Sequence, residues 1–130
     1  MALIAKSGTP SLSSPTPGRE HTITGLKAGE AVAAGDVCYV AGDGTVMRSN
    51  GTAAGAVAVG FGIAGGDAQN LEAVTIYRGV NFHYGSGLTP GTPLYVGATA
   101  GRLDNVASVG GTVAVARVID ATRIHFAGQA

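Results

Sequence analysis

Charge is what this chain lacks most. Only 12% of its 130 residues are Asp, Glu, Lys or Arg, about half the usual share. The eight basic and eight acidic residues cancel. A neutral chain with scattered charges has no electrostatic footprint for DNA, RNA or an anionic membrane. Aromatic side chains are also scarce, with four Tyr, three Phe and no Trp, a thin supply for a sugar-binding surface. Cys38 is the single cysteine, so no intrachain disulfide can form and the fold does not depend on an oxidising compartment. It lies in the apolar run Val37-Cys38-Tyr39-Val40 and reads as a buried, inert thiol. No apolar run reaches the roughly 18 residues of a membrane-spanning helix. The start, Met1 to Ala5, is too short for a signal-peptide core before Lys6, and use without Sec export is expected.

What is present is glycine, 22 of them, in a chain that is 45% hydrophobic. That mixture fits short strands joined by tight turns. Length predicts one domain with a real core. Residues 1–20 stand apart. Pro10, Pro15 and Pro17 among several Ser and Thr remove donors and disfavour helix, which predicts an extended N-terminal arm. The arm is expected to be held by its own domain or by a neighbouring chain, with the neighbour favoured and Leu3, Ile4, Leu12, Pro15 and Pro17 as its contact residues.

From His21 to the end, residues 21–130 are expected to form a single barrel-like domain. Strands are predicted at 21–24, 36–40, 45–48, 56–63, 72–82, 93–96, 102–105, 112–119 and 122–126, with Pro93 at a strand start or edge. Glycine-rich turns separate them. Little helix is expected. An internal repeat runs through these strands. Gly35-Asp36-Val37-Cys38-Tyr39-Val40 matches Gly91-Thr92-Pro93-Leu94-Tyr95-Val96 at an offset of 56. At the same offset Gly55–Val59 matches Gly111–Val115 and Ile63 meets Ile119, while a one-residue slip pairs Gly44-Thr45-Val46 with Gly101-Arg102-Leu103. The fold class is therefore all-β: a small β-barrel or β-sandwich built from two similar strand–hairpin–strand units behind the arm.

The chemical motifs are weak. Gly60-Phe61-Gly62-Ile63-Ala64-Gly65 matches G-x-G-x-x-G. A dinucleotide site needs a helix opening at those glycines and an acidic residue about 20 positions on. Here Gly65-Gly66-Asp67 breaks the chain, and Val80 and its neighbours are not acidic. The glycines read better as a bulge or close sheet packing. Ser86 has Tyr84 where a nucleophile elbow needs glycine, so it reads as a turn residue. His21, His83 and His125 show no metal-ligand spacing. The carboxylates sit mostly at turns, and no acid–base pair stands out. Asn50-Gly51-Thr52 reads as a hairpin turn rather than a glycosylation site. Lys6 and Lys27 precede the repeat, which rules out a lipoyl- or biotinyl-carrier hairpin. No catalytic residue, metal or cofactor is expected.

One family resemblance emerges. The run Gly87-Leu88-Thr89-Pro90-Gly91-Thr92-Pro93-Leu94-Tyr95-Val96, then Ala100-Gly101-Arg102-Leu103 and Val113-Ala114-Val115-Ala116, resembles small capsid decoration (cement) proteins of tailed bacteriophages. The segment Glu72–Val80 is similar to the strand that precedes this run in that group. The resemblance covers residues 22–126 and leaves out the arm. It implies a barrel-like, non-enzymatic protein on the outside of a mature capsid, bridging neighbouring copies of the major capsid protein as a homo-oligomer, with a trimer favoured. A virion location after synthesis in the host cytoplasm follows from it. The alternatives are another virion part, such as a tail or head-fibre module, and a receptor- or glycan-binding β domain.

Overall fold

The computed structural model describes residues 3–13, 21–52 and 55–129. Among these residues there is no α-helix; a 3-10 turn lies at Ala56–Ala58. Eleven strands follow in chain order: β1 (Ser11–Leu12), β2 (Thr22–Lys27), β3 (Val37–Val40), β4 (Val46–Arg48), β5 (Gly62–Ala64), β6 (Ala73–Tyr77), β7 (Val80–His83), β8 (Pro93–Val96), β9 (Leu103–Asp104), β10 (Ala116–Val118) and β11 (Arg123–Phe126). They make two antiparallel sheets. One is ordered β2-β6-β5-β3-β4 and the other β1-β7-β11-β10-β8-β9.

Without β1, the two orders are the same arrangement used twice. The repeat is thus a five-stranded unit, β2 to β6 and then β7 to β11. Its register follows from equivalent hydrogen bonds. Ala64 N donates to Asp36 O as Val118 N donates to Thr92 O, and Phe61 N donates to Cys38 O as Val115 N donates to Leu94 O. Strands β3 and β8 keep the offset of 56 (Tyr39 to Tyr95), and the hairpin partners β4 and β9 show the one-residue slip (Val46 to Leu103). In β5 and β10, however, Ala64 is equivalent to Val118 and Ile63 to Arg117. The match of Gly55–Val59 to Gly111–Val115 and of Ile63 to Ile119 is therefore corrected by two residues. Strings of Gly, Ala and Val look alike in either register, and backbone hydrogen bonding decides between them.

Other boundaries shift for local reasons. The expected strand 56–63 divides into the 3-10 turn and β5, and 112–119 shortens to β10. The expected strand 72–82 breaks at Arg78-Gly79, where Gly79 has φ 63°. That break carries the chain from the first sheet to the second. Pro93 opens β8, where its missing N–H is tolerated.

Each unit has its own core. In the second, Val80, Phe82, Leu94, Val96, Leu103, Val118, Ile124 and Phe126 converge. In the first, Val32, Cys38, Val46, Ala64, Ala68, Val74 and Ile76 do so. The paired segments around Val32 and Ala68 contribute to that core, joined by an antiparallel bridge. Val37 and Ile63, with Tyr77 against them, point the other way and pack into the second unit's core. The first sheet is thus buried on both faces at Val37-Cys38, which explains an apolar run where alternation would mark a half-exposed strand. The two packed sheets fit the sandwich expectation. A closed barrel is not found: among the described residues no continuous ladder closes either sheet, and single bridges, Ala28 with Val46 and Leu3 with Asp104, reach the outer strands β4 and β9.

Candidate interaction surface

The arm is placed first by its backbone. Leu3 bridges Asp104 on β9, and Ile4 N donates to Leu103 O at 2.9 Å. Arg102 Nη2 donates to Ile4 O at 3.0 Å. Further on, Ser7 N donates to Tyr84 O, β1 pairs with β7, and Ser13 N donates to Asn81 O. The arm therefore touches both β9 and β7, the two edges of the second unit. Ile4 and Leu12 pack against that unit's core, because without them its apolar residues would face water. Lys6 Nζ forms an ion pair with Asp36 and donates to Ala34 O at 3.1 Å, which ties the arm to the first unit. Of the expected contact residues, Ile4 and Leu12 lie on the chain's own body, and Leu3 remains 39% exposed. Pro15 and Pro17 fall outside the described residues.

A second feature is a pair of uncharged loops. Residues 49–59 and 105–115 contain no Asp, Glu, Lys or Arg, and the two loops meet. Gly51 N donates to Gly97 O at 2.7 Å and Gly110 N to Gly51 O at 3.0 Å. A Cβ on Gly51 would lie 2.6 Å from Val96 O, so only glycine allows this approach. Buried Ser49 and Ser108 pin the loops by donating to Val59 O and Val96 O. Val57, Val106, Val109 and Val113 on these loops are exposed, Val109 to 79%. An apolar groove of about 310 Å³, lined by Tyr39, Val40, Ala56, Val59 and Phe61, adjoins the first loop.

A third feature is a groove of about 500 Å³ along β10 and β11, lined by Ala114, Arg117, Ile119, His125 and Ala127 among others. Arg117 Nη1 donates to Gly91 O at 2.7 Å, and His125 Nδ1 lies 2.8 Å from Asn81 Oδ1.

The remaining motif residues have structural explanations. Gly62 lies against Ile76, whose Cδ1 would be 3.0 Å from an added Cβ, and a strand rather than a helix occupies the Gly60–Gly65 segment. Ser86 lies in an exposed bend and Asn50 Oδ1 accepts from Thr52 N in its turn. Every described carboxylate accepts a hydrogen bond within the chain: Glu30 from Arg48, Asp36 from Ala33 N, Asp43 from Thr45, Asp67 from Ala34 N, Glu72 from Gln69 N, Asp104 from Val106 N and Asp120 from Arg123. The Arg123 bond and the Thr122 backbone hold Asp120 down to about 2. Burial pushes the Cys38 thiol far above its ordinary range. His21 holds Arg78 O, while His83 and His125 stand on neighbouring strands of the second sheet. Among the described residues no group of three or more His, Cys, Asp or Glu could hold a metal ion, and no helix is long and apolar enough to cross a membrane.

Sequence reasoning missed the Lys6–Asp36 tie and the Arg117–His125 pair. It also passed over the two charge-free stretches 49–59 and 105–115, which a scan of the sequence for charge would have found. No protein-family model matches the chain, and no curated protein sequence or solved structure matches it.

Proposed function

We propose that this protein is a non-enzymatic virion component that binds the outer surface of a phage capsid and stabilises it by bridging major capsid protein subunits, acting as a homo-oligomer, with a trimer favoured. The observation that carries this reading is the pair of uncharged loops. Two equivalent loops with no charge are pinned by backbone hydrogen bonds, yet they turn Val57, Val106, Val109 and Val113 to the outside. Exposed apolar side chains on loops held by hydrogen bonds suit contact with another protein. The described carboxylates all accept hydrogen bonds from the chain itself, which fits a structural role. Many copies on one particle would make individually weak contacts sufficient.

The test is to mix the purified chain with undecorated mature capsids of the encoding phage, then image the particles by cryo-EM and measure capsid melting. Wild type should add density at the junctions between capsid subunits and raise the melting temperature. Val109→Asp combined with Val113→Asp should lower occupancy while leaving the chain folded. Wild type that leaves the capsids bare would overturn the reading.

A further inference from the structure

We propose that the groove along β10 and β11 docks an extended, carboxylate-bearing segment of a partner protein. The repeat supplies the first argument. Ile63 pairs with Tyr77 across β5 and β6, and the equivalent pair across β10 and β11 is Arg117 with His125. In the first unit this face packs into the core of its neighbour. In the second unit the same face is open, and the hydrophobic pair is replaced by a guanidinium and an imidazole. The fold therefore already uses this sheet face as a protein contact, and the second copy of it carries different chemistry.

The chemistry of the groove selects the occupant. Arg117 is fixed through one nitrogen by Gly91 O and His125 through Nδ1 by Asn81. The rest of the guanidinium remains for a ligand. No carboxylate lines the groove, and the nearby Asp120 is engaged by Arg123. A guanidinium is a receptor for a carboxylate, which can accept two hydrogen bonds from Arg. The walls are Ala114, Ile119 and Ala127, so the acidic residue should be flanked by small or apolar ones. A nucleic acid would need many cations along its backbone, and the chain is neutral. This inference does not depend on which particle, if any, the protein decorates.

The experiment follows backbone amides of the full chain by NMR during titration with acetyl-Val-Ala-Glu-Ala-Val-amide and with its Gln analogue. The acidic peptide should shift amides at 114–119 and 125–127, and the Gln analogue should bind about tenfold more weakly or worse. Arg117→Met should weaken the acidic peptide by a similar factor, His125→Leu should weaken it less, and Lys27→Met, on β2 of the other sheet, should change nothing. Equal binding of the two peptides, shifts confined to other residues, wild-type affinity in Arg117→Met, or no shifts at millimolar peptide would each overturn the proposal. Capsid binding that survives Arg117→Met would leave the decoration reading standing.

Discussion

Replacing Lys6 with Met should destabilise the whole chain, although Lys6 lies in the arm. The Lys6 ammonium meets the Asp36 carboxylate where the two side chains are only 17% and 7% exposed. Asp36 keeps one other donor, Ala33 N at 2.9 Å. Methionine would preserve most of the side-chain volume and leave a buried carboxylate short of its counter-charge. Removing one partner of such a pair costs about 3–5 kcal/mol, and the residual exposure of Lys6 puts the expectation near the lower end, at about 3 kcal/mol. For a chain of this length each kcal/mol moves the midpoint by about 3–4 °C, so the melting temperature should fall by about 10 °C. Urea unfolding followed by tyrosine fluorescence gives the free energy directly, since the chain has no Trp. Asp36→Asn and the double variant complete a cycle, and the coupling energy should exceed about 1 kcal/mol. A Lys6→Met protein within about 1 kcal/mol of wild type would refute the view that this pair holds the arm in place.

Three further outcomes follow from local geometry. Gly51→Ala drives a Cβ to 2.6 Å from the Val96 carbonyl oxygen, so the loops must part, and urea unfolding should show a loss of about 1–3 kcal/mol. The Cys38 thiol, fully buried and pushed strongly upward by its burial, should react with a thiol reagent such as DTNB only as fast as the chain opens; rapid native labelling would contradict its placement. Asp120 has a folded pKa near 2 against an ordinary 3.8, so its contribution is present above 3.8 and is lost as pH falls toward 2; amide exchange in the β10–β11 hairpin should rise over that window in wild type and not in Asp120→Asn.

The strands were legible because Val, Ile, Thr and Tyr runs are set off by glycine turns, and β8 was placed to the residue. The repeat was legible where a side chain has a distinctive role, as with Tyr39 and Tyr95. It was illegible in β6 and β11, where Ala73–Tyr77 and Arg123–Phe126 share little beyond the equivalence of Ile76 and Ile124. The Arg117–His125 groove was hidden for the same reason: Arg117 becomes the counterpart of Ile63 only once hydrogen bonding has moved the register by two residues. The arm's attachment could not be read locally. Nothing in Ile4 or Leu12 says that a core some 80 residues later lacks part of its wall, a distance readable from Ile4 and Phe82.

The two units differ in how their outer edges are covered, and this difference fixes what is free for a partner. In the first, the chain continues past β2 and Gly29 N donates to Val46 O on β4. In the second, the acceptor at the equivalent position is Leu103 O on β9, and its donor is Ile4 N from the arm. One carbonyl position is thus served by two unrelated segments, because the chain after β7 turns away through Tyr84 and Gly85, where it meets the arm at Ser7 and Ala5. The arm therefore substitutes for a stretch of strand that the second unit does not supply for itself. Deleting it would expose the second core, and a resulting loss of capsid binding would report unfolding rather than a missing contact. The point substitutions at Val109 and Val113 avoid that confusion, since those side chains bury little in the free chain, and they separate surface from scaffold in a way that truncation cannot.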